Sequence, residues 1–534
     1  MGKRYLGVVG ACVVLFFACG TKPTGFGTDG GSGDGSSLDS PFFGDVTSDG
    51  AGTVDTCQNA AAAKSYVGCD YWPTVTGNNV WSVFDFAVVV ANAGANPADV
   101  TITGPNAFNK TGTVAPGQLE KFYLPWVSTL KGPDADAFGS ATPMTASVIA
   151  HGGAYHVVST VPVTVYQFNA LEYAGQGGPP NKDWSSCPGT TSGLGCFSFS
   201  NDASLLLPST AMTGNYRVMG QRGWTASGQD VMGPYFAITA TQNGTSVTVK
   251  TSAAAKVLAG GTIPAQTGVG TFTISMNAGD VAEIVGAVGD TDDFSGSLVQ
   301  ATAPVQVISG MPCVNQPEDV AACDHVEESV FPAETLGQHY VVTVPTSPLG
   351  NVVGHIVRIF GNVDGTTLTY SPSKPAGCPA TINAGEVVDC GQVAQNFEVT
   401  GNNAFGVGSF MLGGQLVDPT GGEGDPSQSF AVAVEQYRSA YIFLAPSDYD
   451  TSYVDIVGPP GVTATVDGAN VGGFTPINGN YSLARYKLGA GNNGAHTLAA
   501  SAPVGIQVMG YGQYTSYQYP GGSNLSAIAP PPVK

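Results

Sequence analysis

The residues of this chain with the widest chemical repertoire are six histidines (His151, His156, His325, His339, His355 and His496) and ten cysteines. No two histidines stand at HExxH spacing, which places two imidazoles on one helical face around zinc. The chain has no GxSxG nucleophile elbow and no GxxxxGK phosphate loop. Asp324-His325-Val326-Glu327-Glu328 is the densest polar run. It follows Cys323 in a linker and is read as a solvated loop, with a metal site as the rival. Asp290, Asp292 and Asp293 are read as an acidic hairpin tip, with calcium as the rival. Trp72, Trp81, Trp126, Trp184 and Trp224 fall in the first half of the chain and are read as core residues, with a binding patch as the alternative. No paired acid and base groups stand at a recognisable spacing. The sequence therefore assigns no catalytic residue, no metal ligand and no cofactor, and the chain is read as a non-enzyme.

Eight cysteines follow the N-terminal region: Cys57, Cys69, Cys187, Cys196, Cys313, Cys323, Cys378 and Cys390. They form four close pairs, and an even count in an exported chain points to disulfides. Local pairing is the simplest connectivity, each bridge contributing roughly 3 kcal/mol if unstrained. Zinc is disfavoured because there is no CxxC and exported thiols oxidise.

The N-terminus reads as an address. Lys3 and Arg4 precede the apolar run Leu6 to Ala18, which has the length of a signal peptide and is too short to span a bilayer comfortably. Phe16-Phe17-Ala18-Cys19-Gly20 resembles a bacterial lipobox, which implies lipidation at Cys19 and, with Gly20 following, the outer membrane. Cys12 lies within the run and is removed with it. Secretion after an ordinary signal cut is the alternative. Residues 1–19 are thus a leader with lipobox. Residues 20–56, rich in Gly, Ser and Asp without periodicity, read as a flexible tether.

The elements behind these residues are strands. Tyr155 to Asn169 alternates Val157, Val161, Val163 and Val165 against Thr160, Thr164, Tyr166 and Phe168. The pattern returns at Val299–Gly310 and Leu498–Gly510, with Pro162, Pro304 and Pro503 in register. A looser copy at Val399–Phe410 carries Ala404 in that place. Each copy follows a run with a hairpin signature (Phe84–Thr103, Tyr235–Lys250, His355–Tyr370, Tyr453–Val466) and a turn ending in Gly117, Gly279, Gly385 or Gly479. Linking phrases recur between copies, with Ser204, Pro208, Gly214 and Tyr216 matching Ser329, Pro332, Gly337 and Tyr340. Four units follow, at about 66–199, 200–327, 328–425 and 426–515, with a tail over 516–534, the whole making an ectodomain over 57–534. The unit length suits a β-sandwich of about seven strands better than a four-stranded propeller blade. The fold class is all-β, as tandem Ig-like β-sandwich repeats, with a propeller-like closed array as the alternative.

Composition narrows the partners. Charged residues make up 11% of the chain, Gly contributes 74 positions, and the net charge is −21 with 18 basic residues. No basic footprint exists for nucleic acid, and the acidity serves solubility.

Cys69-Asp70-Tyr71-Trp72, the run Pro162 to Asn169 and Ser200 to Ser209 resemble the N-terminal domain of the IgGFc-binding protein family, over roughly residues 66 to 515. That domain occurs in bacterial surface lipoproteins of myxobacterial type as well as in a vertebrate mucus glycoprotein. The family name implies immunoglobulin Fc binding, and no motif places that activity on particular residues here. The resemblance and the leader together predict a cell-surface lipoprotein presenting its ectodomain for adhesion to an extracellular protein or glycan. A structural surface or matrix spacer is the alternative, and a glycan-processing enzyme a more distant one.

Overall fold

A computed structural model of the 534-residue chain describes residues 54–92, 94–489 and 494–532. The leader, Cys19 and nearly all of the tether lie outside the described residues. The rest is built from four sandwiches on one plan. In the first, the strands are Gly68–Tyr71, Phe86–Asn92, Ala98–Gly104, Phe108–Val114, Gln118–Leu124, His156–Asn169 and Ala203–Leu205. The sixth strand belongs to both sheets. Its first half pairs with the first and third strands, and its second half with the second and seventh. The later sandwiches repeat this pairing, with the sixth strand folding over at Pro304, Ala404 and Pro503. The recurring proline therefore sits where the chain passes from one sheet to the other and a ladder N–H is dispensable.

The two sheets read differently because they face different surroundings. Ala98–Gly104 and Thr271–Met276 lie in the outer sheets and alternate buried with exposed. Phe86–Asn92, Tyr235–Ala240 and His355–Gly361 lie in the inner sheets and are buried at every residue. An inner strand has its own core on one side and the next sandwich on the other, so a continuous apolar run suits it.

The runs expected to be hairpins are not hairpins. Tyr235–Ala240 pairs with Val281–Val285 and Val305–Val314, whereas Thr245–Lys250 pairs with Thr271–Met276 and Leu298–Ala301. The second and third strands lie in opposite sheets in all four sandwiches. Asn243-Gly244 and Asp364-Gly365 do turn the chain, with Gly244 at φ +71° and Gly365 at +67°. Their side chains, however, clamp the next turn instead of closing a ladder. Asn243 Oδ1 accepts the Ala278 N–H (3.1 Å) while Asn277 Oδ1 accepts that of Gly244 (3.2 Å). Asp364 and Asn383 exchange the same pair of bonds with Ala384 and Gly365, at 3.0 Å each.

A buried tyrosine marks the corner of every sandwich. The hydroxyls of Tyr71, Tyr216, Tyr340 and Tyr441 donate to the carbonyls of Val163, Val305, Phe405 and Val504, each one residue after the fold-over point. Tyr216, Tyr340 and Tyr441 also accept an N–H from three residues upstream, at Thr213, Gly337 and Arg438.

The sandwiches close into a ring. The loop between the first and second strands of each lies on the inner sheet of the next. Thr74 meets Thr239 (2.7 Å), Arg358 donates to Gly220 O, and Thr346 meets Asp455 (2.5 Å). The fourth sandwich returns to the first through Lys121–Asp448 and through Tyr166 on Tyr519, 4.8 Å between ring centres. The closed array is thus a ring of two-sheet sandwiches, not of single-sheet blades. Thr515–Pro520, expected within a tail, is the seventh strand of the fourth sandwich and pairs with Ala495–Gly512.

The four seventh strands (Ala203–Leu205, Asp324–Ser329, Gln428–Phe430 and Thr515–Pro520) pack on one another around the ring axis. Here the reading of Asp324 to Glu328 as a solvated loop is overturned, because all five residues are buried in a strand. The polar run survives burial because its partners are built in. Glu327 accepts from Thr76 (2.7 Å), Gln167 (2.9 Å) and Ser204 (3.3 Å), and lies 3.5 Å from His325. Asp202 accepts the N–H groups of Ala203, Glu327 and Gln428, taking in three sandwiches. Burial holds Asp202, Glu283, Asp324, Glu328 and Asp425 well above the usual carboxylate range.

Candidate functional site: a crown of loops over the ring axis

The connections between sixth and seventh strands all leave the same end of this axis. They span residues 170–202, 315–323, 411–427 and 513–514. The Gly413 N–H donates to Gln316 O (2.6 Å) and the Tyr514 N–H to Gly422 O (2.8 Å), while Ser200 donates to Pro312 O (3.2 Å) in the strand end that leads into the second connection. Phe197 and Phe199 pack on Tyr514 at 6.3 and 6.0 Å. The result is a continuous crown.

Disulfides stiffen it. Cys187–Cys196 and Cys313–Cys323 occupy equivalent connections in the first and second sandwiches. Cys57–Cys69 ties the short helix Cys57–Ala63 to the first strand, and Cys378–Cys390 closes a loop beside Val387–Val393 in the third sandwich. Closing a loop lowers the entropy of the unfolded chain, which matters most where ladder hydrogen bonds are few.

The crown exposes apolar side chains. Leu194 is 42% exposed, Leu416 37% and Tyr514 40%. Phe138, at 73%, comes from the long excursion between the fifth and sixth strands of the first sandwich and stands next to Gly139, which approaches Leu194. Beneath this surface Trp81, Phe84 and Trp184 form an aromatic base, with Trp81 edge-on to Phe199 and Phe84 5.0 Å from Trp184.

Beside the crown a groove of about 600 Å³ runs between the second and third sandwiches. Trp224, Gln316, Glu318, Asp389 and Gln392 line it. The Trp224 indole N–H donates to Glu318 O at 3.0 Å, which fixes the ring in the wall. Glu318 faces Arg222 at 3.8 Å, and Asp389 lies 4.0 Å from Arg358 Nε. Both contacts are long, and the Arg358 guanidinium is engaged chiefly by Asp293 of the second sandwich.

The acidic turn expected at an exposed tip is also corrected. Asp292 is fully buried, accepts the Lys256 N–H at 2.8 Å, and is pushed up to about 7, chiefly by burial. Asp293 pairs with Arg358 of the third sandwich. Among the described residues no group of His, Cys, Asp and Glu side chains has the arrangement of a metal site. Of the tryptophans, Trp72, Trp81 and Trp224 are buried, and Trp72 stacks on His156 at 4.1 Å. The crown was not legible in the sequence, since Phe138, Leu194, Leu416 and Tyr514 come from four segments with no shared motif. The one available signal was that two cysteine pairs sit just ahead of the linking phrases.

The architecture defines an all-β, disulfide-bonded array of sandwiches with a loop-built surface at one end. A family model described as IgGFc binding protein matches residues 202–510, more than half of the chain, and the chain belongs to that family. The human IgGFc-binding protein is 24% identical over 265 residues, covering 47% of this chain and 5% of that protein, so the chain spans a small part of its relative. Among solved structures, an anti-sigma factor domain-containing protein from Clostridium clariflavum aligns at 10% identity with a TM-score of 0.11, covering 81% of this chain and 98% of that one. A tetra-tandem repeat from the extending region of a large adhesion protein aligns at 11% with a TM-score of 0.09, covering 86% and 99%. Neither likeness carries an argument about fold. Among the described residues no helix is long and apolar enough to cross a membrane.

Proposed function

We propose that this chain is a surface-tethered binding protein that engages an extracellular protein or glycan through the loop crown. In this reading residues 1–19 direct export and lipidation at Cys19, residues 20–56 form the tether, and residues 57–534 present the ring beyond the outer membrane. The observation that carries the binding role is that the loop crown, braced by two disulfides, leaves Leu194, Leu416 and Tyr514 exposed, with exposed Phe138 in the loop beside Leu194. Exposed apolar side chains gathered in one patch mark interaction sites on soluble proteins. Membership of a family described by IgG Fc binding makes Fc the first protein ligand to try, and a secreted form of the same ring is the alternative location.

The test has two arms. Mass spectrometry of the N-terminal peptide from fractionated cells is expected to find diacylglycerol on Cys19 in the outer-membrane fraction, and an unmodified chain in the medium would overturn the tether. Cells displaying the chain are then screened against glycans and immunoglobulin Fc. The variant Phe138→Ser/Leu194→Ser/Tyr514→Ser is expected to lose at least tenfold in affinity for any ligand found, with Val158→Ser on the outer sheet unchanged. Equal loss in both variants would remove the crown from the mechanism.

A further inference from the structure

The first connection of the crown, residues 170–202, carries Lys182, which reaches back to the start of the second strand. Its Nζ donates to Asp85 Oδ2 at 2.5 Å, and the two side chains are only 13% and 21% exposed. Asp85 stands one residue before Phe86–Asn92. A third group completes the arrangement. Glu172 is buried, its Oε2 accepts the Asp85 N–H at 3.2 Å, and its Oε1 has no partner. Gly178 lies against all three. A Cβ there would stand 3.1 Å from Glu172 Oε1, 3.3 Å from Asp85 Oδ2 and 3.3 Å from Lys182 Cδ, so one lysine and two carboxyl groups converge on one small space. Aromatic rings wall it: Lys182 Nζ lies 4.7 Å from the centre of the Trp184 ring, which packs on Phe84.

This differs from an ordinary ion pair. Lys131 also meets an aspartate, but Asp134 takes further bonds from the N–H and hydroxyl of Ser82. In spite of burial, Lys131 and Ser82 hold Asp134 below the usual carboxylate range. Among the described residues the Asp85 carboxylate has Lys182 as its one hydrogen-bond donor, and burial outweighs that bond, so Asp85 sits above the usual range. Glu172 is pushed up to about 8 by burial and then by the Asp85 charge. At neutral pH Glu172 therefore carries a proton beside a lysine and an aspartate that are already in contact.

We propose that Lys182 and Asp85 are joined by an intramolecular isopeptide bond that the folded chain forms itself, with Glu172 as the proton shuttle. The ion pair first exchanges its proton, giving an amine at Lys182 and a carboxylic acid at Asp85. Nζ attacks Cγ and a C–N bond forms. The bond from Cγ to the hydroxyl breaks, and the hydroxyl leaves as water with the proton of Glu172, which then recovers a proton from Nζ. One ammonium and one carboxylate thus give one amide and one water, with no oxidant or further reactant. Contact replaces collision, apolar walls favour the neutral amine as nucleophile, and an acid that titrates near the working pH transfers protons best. The bond ties the crown to the sheet beneath it.

The test is a tryptic map of the full chain, reduced and alkylated, read by tandem mass spectrometry. Without the bond, trypsin releases residues 65–110, 132–182 and 183–217 as separate peptides. With it, Lys182 resists cleavage, and 65–110 and 132–217 are expected as one branched species lighter than their sum by one water. Lys182→Arg and Asp85→Ala are expected to abolish that species. Glu172→Gln, measured on protein that keeps the parent's near-ultraviolet circular dichroism, is expected to abolish it with both partners still in place. Three separate peptides from the parent would overturn the proposal, as would a loss of water found only at Asp364-Gly365, the mark of turn cyclisation. Parental yield of the branched species in Glu172→Gln would overturn the role of Glu172.

Discussion

The corner tyrosine is the residue on which each sandwich turns. Tyr216 donates to Val305 O at 2.6 Å and accepts the Thr213 N–H at 3.3 Å, so one hydroxyl satisfies two backbone groups where the sixth strand changes sheets. Phenylalanine fills the same space but leaves the buried Val305 carbonyl unpaired, costing about 1–3 kcal/mol, and the half-buried Thr213 N–H without this acceptor. Tyr216→Phe is therefore expected to lower stability by about 2 kcal/mol, read from the urea midpoint, with Tyr340→Phe similar. A loss below about 0.5 kcal/mol would mean that the ladder alone holds the corner. Linking phrases in the sequence picked out Tyr216 and Tyr340 by their recurrence. Their role was hidden, because each partner carbonyl lies more than 60 residues away.

At the scale of elements, the turns decide which sheet a strand joins. Asn-Gly next to alternating strands signals a hairpin, yet here it makes an arch, because the Asn side chain binds the neighbouring turn and the strands find partners elsewhere. Gly244 stands at φ +71° with open space around its Cβ position, so Gly244→Ala adds backbone strain and little steric conflict. A left-handed non-glycine residue costs about 1–2 kcal/mol. That loss is expected in denaturant unfolding of Gly244→Ala, whereas Gly244→Asn, which tolerates this region, should cost less. Equal losses in both variants would show that the φ angle is not the constraint. Strand positions and repeat order were legible in the sequence, because alternation and turn residues are local properties. Sheet membership was not, because both arch and hairpin satisfy the same local pattern.

Across the whole molecule, burial of acids links the ring to pH. Burial raises Glu172 to about 8, Asp292 to about 7 and Asp455 to about 6, against about 4 for carboxylates in an unfolded chain. The folded chain thus holds protons that the unfolded chain has released. This contribution to stability is complete below about pH 4 and is lost as pH rises through the folded values. His355 acts in the opposite sense. Burial lowers it to about 3, so stability is lost as pH falls below its ordinary value near 6.5. Above that value His355 is neutral in the folded and the unfolded chain alike, so the buried acids set the trend, and Tm is expected to fall from pH 6.5 to 8.5 in calorimetry. A flat or rising Tm over that interval would contradict proton retention by these groups.

By itself the sequence determined the all-β class, the four-fold recurrence and the acidic charge balance, and the motifs it carries pointed to the family. Each of these is written in local periodicity, spacing or composition. Tertiary structure alone decided that the sandwiches close into a ring and that Asp324 to Glu328 lie on its axis. It also decided that four unrelated loops form one crown. The physical reason is the same in each case. A buried carboxylate or guanidinium is distinguished from a solvated one only by partners that arrive from distant segments, and an exposed leucine acquires meaning only from its neighbours in space.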